Sequence, residues 1–319
     1  MFGNKQKPVY VINGFLDSGK SSFFSYTIGQ PYFRAKGKTL LILCEEGEVE
    51  YTPALLKQTN TVVETFESAE ELTPAAMMAL DAKYDPERIL VEWNGMWDFR
   101  SFKLPKKWML EQQITTIDAS TFSIYFTNMR SLLAEQIRNS EMIMINRCDS
   151  IDEKTLISYK RNIKAINQKA ELIFEDANGE IDMTTEEDLP FSLNEDPIRL
   201  EGLNYGIWYI DAMEHPDRYV GKNITYTGQI LKPGNFPQDM FVPGRMAMTC
   251  CAQDMQFLGY AARFDGARDL KERDWVKVTA KVGKEFFEPY GREGVVLSIT
   301  QAEKTKEPKN AVIDFSQPA

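Results

Sequence analysis

Residues Gly14–Ser21 read Gly-Phe-Leu-Asp-Ser-Gly-Lys-Ser, a complete G-x-x-x-x-G-K-S loop, and they constrain the fold more than any other stretch of the chain. A short apolar run, Val9–Ile12, precedes the loop, and a helical stretch from Ser21 to Ile28 follows it. Strand, glycine loop and helix in that order form a phosphate cradle. Glycines at 14 and 19 let the backbone wrap an anion, and the amides of Ser18, Gly19, Lys20, Ser21 and Ser22 stand at the helix start, where the dipole favours negative charge. Lys20 supplies a point charge for the β- and γ-phosphates, and Ser21 a hydroxyl ligand for Mg²⁺. Asp17 places an acid inside the cradle, which either points away or weakens phosphate affinity.

The first part of the chain alternates apolar runs with helical patterns. Strands are expected at Val9–Asn13, Thr39–Cys44, Thr61–Phe66, Arg88–Trp93, Ile114–Asp118, Met142–Asn146 and Glu171–Phe174. Several are continuously apolar, as in strands buried on both faces. Helices are expected at Ala75–Tyr84, opened by Thr73-Pro74, and at Thr121–Asn139 and Glu153–Ile166. The fold class is therefore α/β, a doubly wound, mostly parallel sheet over residues 1–188. Proline and acidic residues mark a linker at 189–203. Residues 204–306 read as a helix near Tyr205–Glu214 and then short strands, Asn223–Leu231, Arg245–Ala252, Phe257–Phe264, Trp275–Val282 and Val295–Thr300. A small β-rich domain follows from this, either an OB-like barrel or a sandwich. Residues 307–319 read as an extended tail.

The identity of the nucleotide is suggested by Asn146-Arg147-Cys148-Asp149, which follows the apolar strand ending at Ile145. N-K-x-D at a strand end is a guanine reader: the carboxylate of Asp149 accepts from the N1 and N2 donors of guanine, a pairing adenine cannot make. Arg147 stands in for the usual lysine, and its stem and guanidinium can lie on the base. Carboxylates for Mg²⁺ and for the attacking water come from Glu45-Glu46-Gly47-Glu48 and Glu92-Trp93-Asn94-Gly95, each just past the end of a strand. Ligands of open α/β sheets bind at that edge. Lys20, Glu45, Glu48 and Glu92 are the candidate catalytic residues, and Ser21, Glu45 and Glu92 the candidate Mg²⁺ ligands.

The order of these motifs resembles the CobW/HypB/UreG class of metal-handling GTPases, nearest its CobW branch, over the first roughly 190 residues. Gly14–Ser21 matches G-F-L-x-x-G-K-[ST], Cys44–Glu48 matches N-E-x-G-E with Cys44 in place of Asn, and Glu92–Gly95 matches E-x-x-G. Ile117–Phe122 echoes V-D-A-x-x-F, Gln136-Ile137 and Asn146–Asp149 follow, and Asn167–Ile173 is the counterpart of N-P-x-A-x-I. The resemblance implies GTP and Mg²⁺ as cofactors, slow hydrolysis, and a part in transition-metal homeostasis or delivery, zinc among the metals. A metalloprotein client is implied, and a homodimer is open to it. The thiolate motif C-x-C-C of that branch is missing, since no cysteine or histidine lies between Glu48 and Glu92. That departure favours the alternative of a regulatory GTP switch without metal cargo. Cys44 is either a remnant ligand or a buried strand-end residue.

Residues from about Leu203 to Ala311 resemble a permease-associated domain of unknown function, the YcgQ type, carried by Met248–Asp254, Gly259, Asp274–Val278 and Glu307-Pro308. A permease subunit is accordingly a second class of partner. Cys250 and Cys251, with Asp254 and His215, are candidate ligands for a thiophilic metal such as Zn²⁺, although strand alternation would put adjacent thiols on opposite faces.

The formal net charge of −10 argues against non-specific nucleic-acid binding and anionic membrane surfaces. No run of about 18 apolar residues predicts a membrane span. The first strand begins almost at once, which leaves no room for a signal peptide, and four scattered or vicinal cysteines make a poor disulfide framework, so a cytoplasmic location is expected. An ATP-using enzyme is the third reading, opposed by Asp149.

Overall fold

Alternate residues of the central strands face two different apolar clusters, which is why their sequences lack polar alternation. The computed structural model describes residues 6–45, 51–181, 183, 189–249 and 255–315. Val9, Val11, Leu40, Ile42, Ile89 and Val91 pack with Met77 on one face of the sheet. Ile12, Leu41, Leu90 and Ile114 pack with Phe24 and Ile28 on the other. The strands are β1 (Lys7–Asn13), β2 (Thr39–Leu43), β3 (Thr61–Thr65), β4 (Arg88–Glu92), β5 (Trp108–Asp118), β6 (Met142–Asn146), β7 (Glu171–Asp176) and β8 (Gly179–Ile181). They form one eight-stranded sheet in the order β3-β2-β4-β1-β5-β6-β7-β8. Every pairing in it is parallel except β7 with β8. The helices are α1 (Lys20–Gly29), α2 (Pro53–Gln58), α3 (Pro74–Tyr84), α4 (Ala119–Asn128), α5 (Arg130–Arg138) and α6 (Glu153–Ile166). The mostly parallel α/β sheet expected from the sequence is therefore present, and its strands lie within the first compact unit, Met1–Thr185.

The local differences have physical causes. The single helix expected over Thr121–Asn139 is two, because the chain leaves helical geometry at Met129 (φ −130°, ψ 32°). Strand β5 begins six residues before Ile114, its first half pairing with Lys7–Val9 through a register shift at Val9/Tyr10. Helix α2 is short, opened by Thr52 as N-cap and Pro53 at its first position, and carries no buried residue to mark its period.

The second unit, Glu186–Ala319, is built around a barrel. It contains β9 (Ile198–Arg199), α7 (Leu203–Glu214), β10 (Asn223–Leu231), β11 (Met240–Met248), β12 (Met255–Gly259), β13 (Ala261–Arg263), β14 (Trp275–Phe287), β15 (Arg292–Lys304) and β16 (Val312–Asp314). Strands β11, β13, β15, β14 and β10 follow one another in the sheet, and β10 pairs back to β11, which closes a five-stranded barrel. The β13–β15 pairing is parallel and the other four are antiparallel. Alternation is strict on β10, where Ile224, Tyr226, Gly228 and Ile230 are the buried positions, and over Trp275–Val282 of β14, where Val276, Val278, Ala280 and Val282 are. The barrel alternative is the observed one and the sandwich is not.

Two segments read as linker and tail supply strands. Ile198–Arg199 pairs with Ile224–Thr225, and Val312–Asp314 pairs in parallel with Met246–Met248. The stretch read as one strand, Phe257–Phe264, is two, because β12 and β13 pair with different parts of β11. Among the described residues, no helix is long and apolar enough to cross a membrane.

Arg245 ties the chain end to the barrel. It is 2% exposed. Its guanidinium donates to the carbonyls of Ala311 (3.1 Å), Thr227 (3.4 Å) and Asn310, and lies 5.8 Å from the Trp275 ring. Arg245→Met keeps the apolar stem but removes three charge-assisted hydrogen bonds from a buried side chain, so it should lower unfolding free energy by about 2–4 kcal/mol in urea titration.

Candidate functional site

The loop joining β1 to α1 is shaped by backbone that only glycine tolerates. Gly14 has φ 145°, and a Cβ there would lie 2.7 Å from Thr116 Oγ1 and closer still to the Thr116 carbonyl. Gly19, with φ 98°, immediately precedes α1 and turns the chain into it. Ser18 is 3% exposed and its hydroxyl shares a 2.8 Å hydrogen bond with Thr116 Oγ1. Phe15 stacks on Tyr125 with ring centroids 3.9 Å apart and so anchors the loop, whereas Leu16 beside it is exposed. Asp17 is exposed and adopts a left-handed conformation (φ 59°). Its carbonyl accepts from Arg147 Nη1 at 2.8 Å.

Lys20 is 3% exposed. Its ammonium donates to the carbonyls of Gly14 and Phe15, both at 2.8 Å, and forms an ion pair with Glu45. Burial raises the Glu45 carboxyl above the usual range. The Lys20 charge opposes that rise, and the charges of Glu92 and Asp17 add to it. Ser21 Oγ donates to Glu92 Oε1 at 2.6 Å, and Tyr51 donates to Glu92 Oε2 at 2.7 Å. Glu92 itself is 2% exposed. A serine hydroxyl beside a buried carboxylate is a hard-oxygen set of the kind Mg²⁺ takes, together with phosphate and water.

The segment after β4 is pressed against the phosphate loop. Trp93 is 1% exposed, its amide donates to Ile12 O at 2.9 Å, and its ring packs edge-on against Trp97 and Phe99. Gly95 follows, and a Cβ on it would collide with the backbone of Gly14 and Phe15. Gln136 Nε2 donates to Gly95 O at 2.8 Å, so the glycine is held from a second side. The E-x-x-G spacing thus places a carboxylate on Ser21 and a glycine on the loop at once.

Beside the phosphate loop lies a cleft of about 850 Å³ whose lining includes Gly19, Ser22, Asn146, Arg147, Asp149 and Ala177. Asn146 Nδ2 donates to Ser18 O at 2.8 Å, which fastens the end of β6 to the loop. Arg147 also forms an ion pair with Asp118. Asp149 Oδ1 accepts from the Ala177 amide at 2.8 Å. Cys148 packs inward at 2% exposure, and burial pushes its thiol up to about 11.

The structure therefore brings Lys20, Ser21, Glu45 and Glu92 together, and places Asn146, Arg147, Asp149 and Ser22 around the adjoining cleft. Glu48, Cys250, Cys251 and Asp254 lie outside the described residues. His215 ends α7 as its C-cap. Cys44 is 1% exposed and burial pushes its thiol up to about 12, the state of a packing residue. Among the described residues, no group of three or more His, Cys, Asp or Glu is arranged to hold a metal ion. Sequence reasoning missed Tyr51, Thr116 and Ala177. Only Ala177 had a signal nearby, the polar Glu175-Asp176 pair that closes β7 just before it.

On the expectation that Lys20 grips phosphate, an incoming anion displaces Glu45 from it. Glu45→Gln should therefore tighten Mg²⁺-free GDP binding by about tenfold, roughly 1.4 kcal/mol, in calorimetric titration. The same change should lower the melting temperature of the nucleotide-free protein, because Lys20 is left buried without a counter-charge.

Residues 177–313 match the family described as DUF1980 C-terminal domain. The zinc-regulated GTPase metalloprotein activator 1 of Dictyostelium discoideum is 23% identical over 220 residues. That alignment takes in 54% of this chain and 46% of the relative, so it spans about half the length of the curated relative it matches. Among solved structures, the hydrogenase maturation factor HypB from Archaeoglobus fulgidus is similar over 55% of this chain and 83% of that chain, with 16% identity and a TM-score of 0.39. Residues 8–174 match the family described as CobW/HypB/UreG, nucleotide-binding domain, and with that the chain belongs to the CobW/HypB/UreG family, its first unit being a P-loop GTPase domain of that kind.

Proposed function

We propose that this protein binds GTP with Mg²⁺, hydrolyses it slowly, and couples the cycle to transition-metal homeostasis or delivery. The observation that carries the reading is the meeting of the phosphate loop with Asn146–Asp149 at one cleft, where Asn146 bonds Ser18 O and Asp149 sits beside the Ala177 amide. The carboxylate of Asp149 then pairs with the guanine N1 and N2 donors. Adenine lacks that pairing and would leave a polar group unmatched.

Lys20 moves from Glu45 to the β- and γ-phosphates and neutralises charge as the phosphoryl group transfers. Ser21 and Glu92 would hold Mg²⁺, which would supply charge stabilisation to the transferring phosphoryl group. Glu45, released from Lys20, is placed to orient the attacking water, a role that Glu48 could share. Zinc as the metal and a metalloprotein as the client are supported by the name of the Dictyostelium relative. A regulatory GTP switch whose barrel docks a permease subunit is favoured by one specific observation, the lack of cysteine and histidine between Glu48 and Glu92.

Lys20→Ala should abolish Mg²⁺-dependent GTP turnover and weaken GTP binding by at least about tenfold, the worth of one charge-assisted contact. Unchanged turnover would remove the GTPase assignment. Zn²⁺ titrated into the same assay separates the two readings. Metal coupling predicts a Zn²⁺-dependent rate that changes in Cys250→Ser/Cys251→Ser, whereas the switch predicts no response in either protein.

A further inference from the structure

Glu92 is a buried carboxylate whose two oxygens are each held by a hydroxyl. Oε1 accepts from Ser21 at 2.6 Å and Oε2 from Tyr51 at 2.7 Å. The nearby cation, Lys20, is paired with Glu45. The negative charge of Glu92 is thus left on neutral donors, which fix its plane without cancelling its attraction for a metal ion. A carboxylate with a single donor could rotate about its last torsion. Donors on both oxygens remove that freedom before any ligand arrives.

Tyr51 is well built for such a task. Its ring packs against the apolar cluster that includes Ile12, Phe24, Leu41 and Leu90, so the hydroxyl comes from an anchored side chain. The next residue, Thr52, caps α2, its side chain accepting from the Leu55 amide. Nothing in the motif order assigned Tyr51 a role, and the contact spans 41 positions of sequence.

We propose that Tyr51 is a positioning residue for the Mg²⁺ side of the site: its hydroxyl holds the Glu92 carboxylate in the orientation that faces Ser21 and so sets how much Mg²⁺ the nucleotide complex needs. The inference rests on the Mg²⁺–GTP reading above. Tyr51 touches Glu92 and acts through it.

The test is equilibrium binding of fluorescent GDP during Mg²⁺ titration, on wild type, Tyr51→Phe, Glu92→Gln and the double variant. Wild type should gain GDP affinity as Mg²⁺ rises. Tyr51→Phe should match wild type in EDTA and need about tenfold more Mg²⁺ to reach the same affinity, the effect of losing one hydrogen bond to a charged group. In the Glu92→Gln background the tyrosine substitution should add nothing, because the group it orients is already altered. Tyr51→Leu, which also removes ring packing, should lower the melting temperature where Tyr51→Phe does not. A Tyr51→Phe protein with wild-type Mg²⁺ dependence would overturn the proposal. So would equal weakening with and without Mg²⁺, or an undiminished effect beside Glu92→Gln. A wild type whose GDP affinity ignores Mg²⁺ would instead defeat the underlying reading.

Discussion

A buried ammonium needs counter-charge, and the site is arranged around that requirement at Lys20. The residue is 3% exposed, and two loop carbonyls and the Glu45 carboxylate surround its charge. Removing one partner of such a pair leaves an uncompensated charge, which costs several kcal/mol in a low-dielectric interior. The Lys20 charge is met by Glu45 in this structure and, on the proposed function, is met by an anion that brings its own charge when nucleotide binds. Exchange between them is how a phosphate could be sensed by the chain beyond β2.

The remaining contacts keep that exchange local. Trp93 and Gly95 press the segment after β4 onto the phosphate loop, and Gln136 holds Gly95 from behind. Ser21 bonds Glu92, and Asn146 bonds Ser18. The carboxyl ends of β2, β4 and β6 are thus each tied to the same loop. A parallel sheet makes this possible because all of its strand ends emerge on one edge, where β1 is flanked by β4 and β5. The second unit meets a different constraint, that of sheet edges, by closing five strands into a barrel and covering β11 with the short strand Val312–Asp314.

The sequence was most legible where function and fold share consecutive residues. Gly14–Ser21, Glu92–Gly95 and Asn146–Asp149 are short, contiguous and bound to strand ends, so both their letters and their context could be read. The two-faced burial of Val9–Ile12 and Ile89–Val91 was equally plain, since an unbroken apolar run has few other uses. What escaped depends on long-range pairing. Ile198–Arg199 and Val312–Asp314 are too short to show a period and are strands only because β10 and β11 lie beside them. Pro243 and Gly244 within β11 read as turn signals, yet the barrel places them where β10 crosses closely at Gly228. Tyr51 carried no signal in the sequence, because its partner is brought to it only when β4 and the residues before α2 come together.

The central claim is that this cleft selects guanine through Asp149 while the adjoining loop grips phosphate. Calorimetric titration of the full-length protein with GDP and with ADP, each with Mg²⁺, tests it most directly. Selection by a paired carboxylate predicts GDP binding at least about a hundredfold tighter than ADP. Equal affinity for the two diphosphates, or preference for ADP, would contradict the account.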